Sequence, residues 1–191
     1  QGYAINLYGQ NYFVNKKHFP KVYTTLDFGT LLPFKNSAIW LRTAAGHSFG
    51  VTGNAFDNFY FGGFGNNYVD YQNVQRYRDF ESFPGLEINE VGSKNFAKGT
   101  LELNLSPIRF RKFGFLSFYT TYMRFSLFGM ALATNVDEKS LNRNMYNYGA
   151  QVDFELVLFS LLKSNLSFGY ARAHEKSFAP KDEFMISLKL L

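Results

Sequence analysis

Asp153 and Glu155 stand two residues apart, a spacing that in an extended strand puts both carboxylates on one face, where unequal surroundings could make an acid and a base of the pair. The polar lining of a wet interior accounts for them more simply. Other side chains with reactive chemistry are scattered. His18, His47 and His174 show no metal-ligand spacing, and Ser37, Ser48 and Ser160 lack the G-x-S-x-G turn of an activated nucleophile. No Lys-Ser/Thr follows the GGFG at 62–65, so it is not a phosphate loop. Cysteine is absent, which excludes disulfides and thiolate metal sites. The expectation is a protein that is not an enzyme and needs no cofactor or metal.

Arg78 poses a different question. It lies in FYFGGFGNNYVDYQNVQRYRDFESFPG, residues 59–85, which has neither the period of a strand nor that of a helix and reads as part of a long ordered loop over 51–95. A loop so rich in aromatics, with Gly62, Gly63, Gly65 and Gly85, is unfavourable in water and is expected to fold back against the body of the protein. An arginine carried into a confined polar space needs a carboxylate partner, and Glu102 and Asp153 are the candidates. A solvated arginine beside Asp79 and Glu81 is the other reading. The basic run Arg109, Arg111, Lys112 is placed at a short turn, where it meets lipid phosphates or a partner, or is simply hydrated.

Strands must position these residues. In 148–158, Tyr148, Ala150, Val152, Phe154, Leu156 and Leu158 alternate with Gly149, Gln151, Asp153, Glu155 and Val157, and the run is long enough for a tilted membrane-spanning strand. Similar alternation recurs near 3–13, 22–28, 38–49, 100–105, 115–134, 166–171 and 184–190, roughly eight strands in all. In the 115–134 segment, Tyr119, Met123, Phe125 and Leu127 oppose Thr120, Arg124 and Ser126. No stretch approaches the roughly 20 apolar residues of a spanning helix, which rules out a helical membrane protein. Aromatics form 19% of the 191 residues, with 23 Phe and 13 Tyr, against 18% charged, an unusual balance for a soluble domain. The net charge of +5 is scattered and gives no sign of nucleic-acid binding. The start, QGYAINLYGQ, has no basic segment leading into an apolar core, so a secretion signal is expected to have been removed or to lie upstream.

Alternation alone does not say which face is wet, and a soluble lipocalin-like barrel shows the same pattern with the faces exchanged. Three features favour a membrane barrel. The polar faces carry Gly, Ser, Thr, Asn and Gln with isolated charges. Tyr3, Trp40, Phe110, Phe113, Tyr146, Tyr148 and Tyr170 gather near strand ends, as an interfacial girdle would. Connections alternate between short (LPFKNS, SPIRFRKFG, FSLLKSN) and long (51–95, NVDEKSLNRNMYN, HEKSFAPKDE). The fold class read from the sequence is therefore all-β, an antiparallel transmembrane β-barrel domain spanning 1–191.

NFYFGGFGNN followed by YRDFESFPG resembles the sixth external loop of the bacterial surface antigen family, the outer-membrane assembly and secretion superfamily that includes BamA, TamA and two-partner secretion transporters. In the family's loop motif, [VL]-R-G-[FY], Arg78 and Phe80 match and Asp79 replaces the glycine. TLELNLSPIRF is similar to the family's following strand, which makes Glu102 the counterpart of its inward glutamate, and FSLLKSNLSFGYARA is similar to its turn and penultimate strand. The form of the loop looks most like versions from Bacteroidota. With three strands before the loop and five after it, the resemblance implies the C-terminal half of a sixteen-stranded barrel in the bacterial outer membrane. It implies insertion or translocation of client polypeptides, with Arg78, Phe80 and Glu102 locking the loop inside; Asp153 joins them only as the other carboxylate that the polar face offers. Implied partners are outer-membrane lipid, client polypeptides and the missing strands, from an upstream half or another chain. A passive barrel that anchors a periplasmic domain or conducts small solutes is the alternative.

Overall fold

A computed structural model of the chain describes residues 2–14, 16–50, 55–64, 80–115, 118–159, 162–176 and 178–190. Three strands open the fold: β1 (Gly2–Val14), β2 (Lys17–Leu31) and β3 (Ala38–Ser48). The long loop follows, with a 3-10 turn at Ala55–Asp57 and a small hairpin of β4 (Phe59–Phe61) and β5 (Val91–Ser93). Then come β6 (Asn95–Asn104), β7 (Ile108–Phe115), β8 (Phe118–Thr134), β9 (Arg143–Leu158), β10 (Leu162–Glu175) and β11 (Lys181–Leu190). All but the hairpin form one antiparallel sheet in the order β1-β2-β3-β6-β8-β9-β10-β11, with β7 also on β8. Among the described residues β1 and β11 do not pair, so the sheet is open and does not close on itself.

β6 and β7 are one crossing interrupted near Pro107. Both run antiparallel to β8, β6 along its second half and β7 along its first, and Leu105 N still donates to Phe125 O at 3.0 Å between them. Proline has no N–H for the ladder, so pairing stops there and resumes. Apart from Ser106 and Pro107, SPIRFRKFG is accordingly strand rather than turn, and the reversal comes after Phe115. Counted this way, three crossings precede the loop and five follow, as the alternation indicated. A register shift between Thr120 and Tyr122 inserts an extra residue in β8 and moves Tyr119 to the face opposite Met123, which simple alternation misassigned.

Pairing sorts residues into two faces. One row of directly opposed residues runs Tyr3, Phe28, Leu41, Leu101, Gly129, Tyr148, and another runs Phe125, Val152, Phe168, Ile186. This face is apolar and bare, with Leu7 76% and Phe184 79% exposed. The opposite face carries Asp27, Lys98, Thr100, Glu102, Ser126, Asn147, Gln151 and Ser167, all buried. A soluble sheet buries its apolar side; this one is inverted.

The core lies between the loop and the end of the polar face where β6 begins. Phe59, Phe61, Phe64, Phe83, Leu86 and Val91 of the loop segment pack with Tyr23, Phe96, Phe128, Met130, Leu132, Met145 and Met185 of the sheet. That end of the polar face is apolar to receive the loop, which explains the aromatic, glycine-rich stretch: its rings supply the core that the sheet's other side cannot. Trp40, grouped by sequence with the girdle, lies on the polar face, its ring seated over Gly29. Tyr146 and Tyr148 do lie on the bare face, stacked on His174 at 5.0 and 5.7 Å.

Candidate functional site

The loop is held by polar side chains from four strands. Lys98 of β6, buried, donates to Phe80 O at 2.9 Å and to Ser82 O. Asn147 of β9 donates to Pro84 O at 2.6 Å. Glu183 of β11 accepts from Gly85 N at 2.7 Å on one oxygen and from Phe64 N at 3.3 Å on the other. Lys21 of β2 donates to Asn58 O, its ammonium 5.1 Å from the Phe59 ring centroid and 5.4 Å from that of Tyr12. These contacts satisfy backbone groups that a loop buried against a sheet would otherwise leave without partners.

Within the loop the two limbs tie to each other. Phe83 N donates to Gly63 O and Gly63 N to Leu86 O, both at 2.9 Å, and Gly62 N to Glu81 O at 3.2 Å. Gly63 has φ +69° and Gly85 φ +98°, left-handed conformations that glycine adopts without a Cβ penalty. At the loop's base the fully buried Asp57 accepts from Ser48 Oγ and Gly50 N, and Lys94 Nζ lies 3.1 Å from its second oxygen. Entry and exit of the loop are thus fastened by one carboxylate.

Of the residues expected to lock the loop, Arg78 lies outside the described residues, as does Gly65. Phe80 stacks between Tyr23 and Phe96, with ring centroids 4.5 and 5.9 Å away, so it is seated on the polar face. Glu102, 6% exposed, faces the same side; Arg42 Nη1 donates to one of its oxygens at 2.7 Å and Asn104 Nδ2 to the other at 3.0 Å. Asp153 accepts from Gln151 Nε2 at 2.7 Å and Ser167 Oγ at 2.6 Å, and Glu155 from Thr121 Oγ1 at 2.8 Å. The two carboxylates of the suggested pair therefore have separate neutral donors. Among the described residues no group of three His, Cys, Asp or Glu is arranged to hold a metal ion.

Sequence reasoning missed Lys98, Asn147 and Glu183. Each occupies a polar position of a strand facing the loop, Lys98 two residues before Thr100 and Glu183 one before Phe184. A charge at such a position, beside an aromatic loop, was the available signal.

A second fastening joins Glu90 to Lys181 Nζ of β11. Burial by itself pushes the Glu90 carboxyl up, but the hydrogen bond from Lys181, aided by Glu87 N, holds it below the ordinary glutamate value of 4.5. A depressed value means that this contact adds stability above 4.5 and loses it as pH falls through the folded-state value. The protection of amides around residues 87–93, relative to their intrinsic exchange rates at each pH, should fall in that acid window, whereas Glu90→Gln should flatten the dependence. An unchanged profile in the variant would remove Glu90 as its source.

No family model, curated protein or solved structure matches this chain.

Proposed function

We propose that this chain forms part of an outer-membrane β-barrel of the surface antigen type, serving the insertion or translocation of polypeptides at that membrane. The observation that carries the reading is the inverted sheet. Its bare face is largely apolar, and one end of its polar face is buried beneath its own loop, the arrangement suited to lipid outside and a polar interior. The outer edges of β1 and β11 have no partner among the described residues, and hydrocarbon does not tolerate unpaired backbone. The barrel is therefore completed by further strands, from an upstream half or from another chain. A porin-like channel is the weaker reading, because Phe64, Phe83, Phe96 and Phe128 fill the polar face near one mouth.

Orientation is tested by charge. Phe168→Arg and Leu127→Arg, on the bare face, should each destabilise the protein in lipid by roughly 2–4 kcal/mol near the midplane, while Ser187→Lys on the other face should be tolerated. Gln151 is unsuitable as a polar-face control, being 1% exposed. Heat-modifiable gel mobility after refolding into vesicles reads the result; equal tolerance on both faces defeats the membrane reading. The client role is tested separately, with a photocrosslinker at Asn11 of β1 in intact cells. Trapped unfolded outer-membrane polypeptides support it, and capture of lipid alone leaves a passive anchor.

A further inference from the structure

The polar face divides into a covered half and an uncovered half, and their cations differ. In the covered half, Lys21, Lys98 and Lys181 are engaged by the loop, and Arg143 is held by Glu175 through two contacts of 2.7 Å. At the opposite end, Arg109 of β7 and Arg124 of β8 are exposed, with no ion pair or hydrogen bond among the described residues; Arg111, also exposed, falls in the register shift of β7. Arg124 lies over the Tyr122 ring at 5.8 Å, and Tyr122 is directly opposite Arg109, so these two guanidiniums share one face of the hairpin. The nearest acids, Asp153 and Glu155, accept from neutral donors.

The backbone there is also unmatched. The pairing of β3 with β6 ends at Ala38 and Asn104, and β7 pairs with β8 alone. From Ile108 onward the edge of β7 away from β8 has no strand beside it among the described residues. An open edge of N–H and C=O groups is a template for an added strand, and natural proteins usually shield such edges.

We infer that the free edge of β7 receives an extended acidic polypeptide segment as an additional strand, with Arg109 and Arg124 taking its carboxylates. The edge provides main-chain hydrogen bonds that accept any extended sequence. The arginines select among them, because a planar fork of donors fits a carboxylate bidentately. Lipid headgroups are the less suitable occupant, since Arg109 and Arg124 lie on the face opposite Met123 and its apolar neighbours. The inference rests on the membrane reading only for placing this edge at a mouth of the barrel, so failed insertion and failed peptide binding are separate results.

The test uses the full chain refolded in phosphatidylcholine vesicles and a short fluorescent peptide alternating glutamate with threonine, followed by anisotropy. The glutamate peptide should bind at least about tenfold more tightly than its lysine counterpart, and added salt should weaken it. Arg109→Gln combined with Arg124→Gln should lower the affinity about tenfold or more, with heat-modifiable folding retained. Amide exchange should slow along β7 when the peptide is bound. Equal binding of the lysine peptide, undiminished binding by the double variant, or protection confined to β1 or β11 would each overturn the inference. So would displacement of the peptide by vesicles containing phosphatidylglycerol, which would assign the arginines to lipid.

Discussion

Replacing Glu183 with alanine should release the loop from the sheet while leaving the strands assembled. Its carboxylate accepts from both Gly85 N and Phe64 N, which belong to opposite limbs of the loop and are buried beside the core. Without it two amides lose their acceptor, at about 1–3 kcal/mol each, so the loop should be destabilised by roughly 2–6 kcal/mol. β11 itself remains paired with β10 from Lys181 to Leu190, and that backbone ladder does not involve the carboxylate. Faster amide exchange at Phe64 and Gly85, and faster proteolysis near residues 87–90, should appear in protein that still shows heat-modifiable mobility. Glu183→Gln keeps an acceptor of the same shape and should restore part of the protection. Combining Glu183→Ala with Lys98→Met should cost less than the sum of the two, because Lys98 holds the same segment through Phe80 O and Ser82 O. Unchanged exchange in Glu183→Ala would mean that the aromatic core and the other anchors suffice.

Gly85→Ala should be comparably severe for a different reason. A Cβ at this position would sit 2.6 Å from both the backbone nitrogen and the Cβ of Ala173, and φ is +98°. Backbone strain of about 1–3 kcal/mol adds to an overpacking cost of similar size. Because the clash includes the backbone of β10, Ala173→Gly should rescue only part of the loss. Gly99→Ala is the matched control: nothing lies within 4 Å of its added Cβ, and its backbone is ordinary for a strand, so it should be near neutral. Denaturant midpoints in one lipid or detergent system would compare the three; equal midpoints for Gly85→Ala and wild type would show that the loop has room to shift away from β10.

Much of the strand layout follows from residue order. Successive side chains on a strand point to opposite faces, so Leu101 and Leu103 are necessarily separated from Thr100 and Glu102 whatever the sheet does next. The same local rule marked 59–85 as a loop, since no period could place its aromatics on one side. Local order was insufficient where a residue interrupts the ladder: Pro107 halts pairing without ending the crossing, and the extra residue near Thr121 exchanges the faces of β8 beyond it.

The anchors were decided at the tertiary level. Glu102 meets Arg42, sixty positions away in the chain, because β3 and β6 become neighbours and their register sets Arg42 beside Thr100, one step along the polar face from Glu102. Glu183 meets Gly85 across 98 positions, after five crossings have brought β11 level with the loop. Which face is bare was likewise undetermined by alternation, which assigns residues to sides but not sides to surroundings. That assignment came from the loop: its rings pack on one end of the polar face, leaving the row of Phe125, Val152, Phe168 and Ile186 on the side the loop does not touch. Side-chain alternation is fixed by the geometry of one strand, whereas the partner of a charge depends on registers accumulated across the whole sheet.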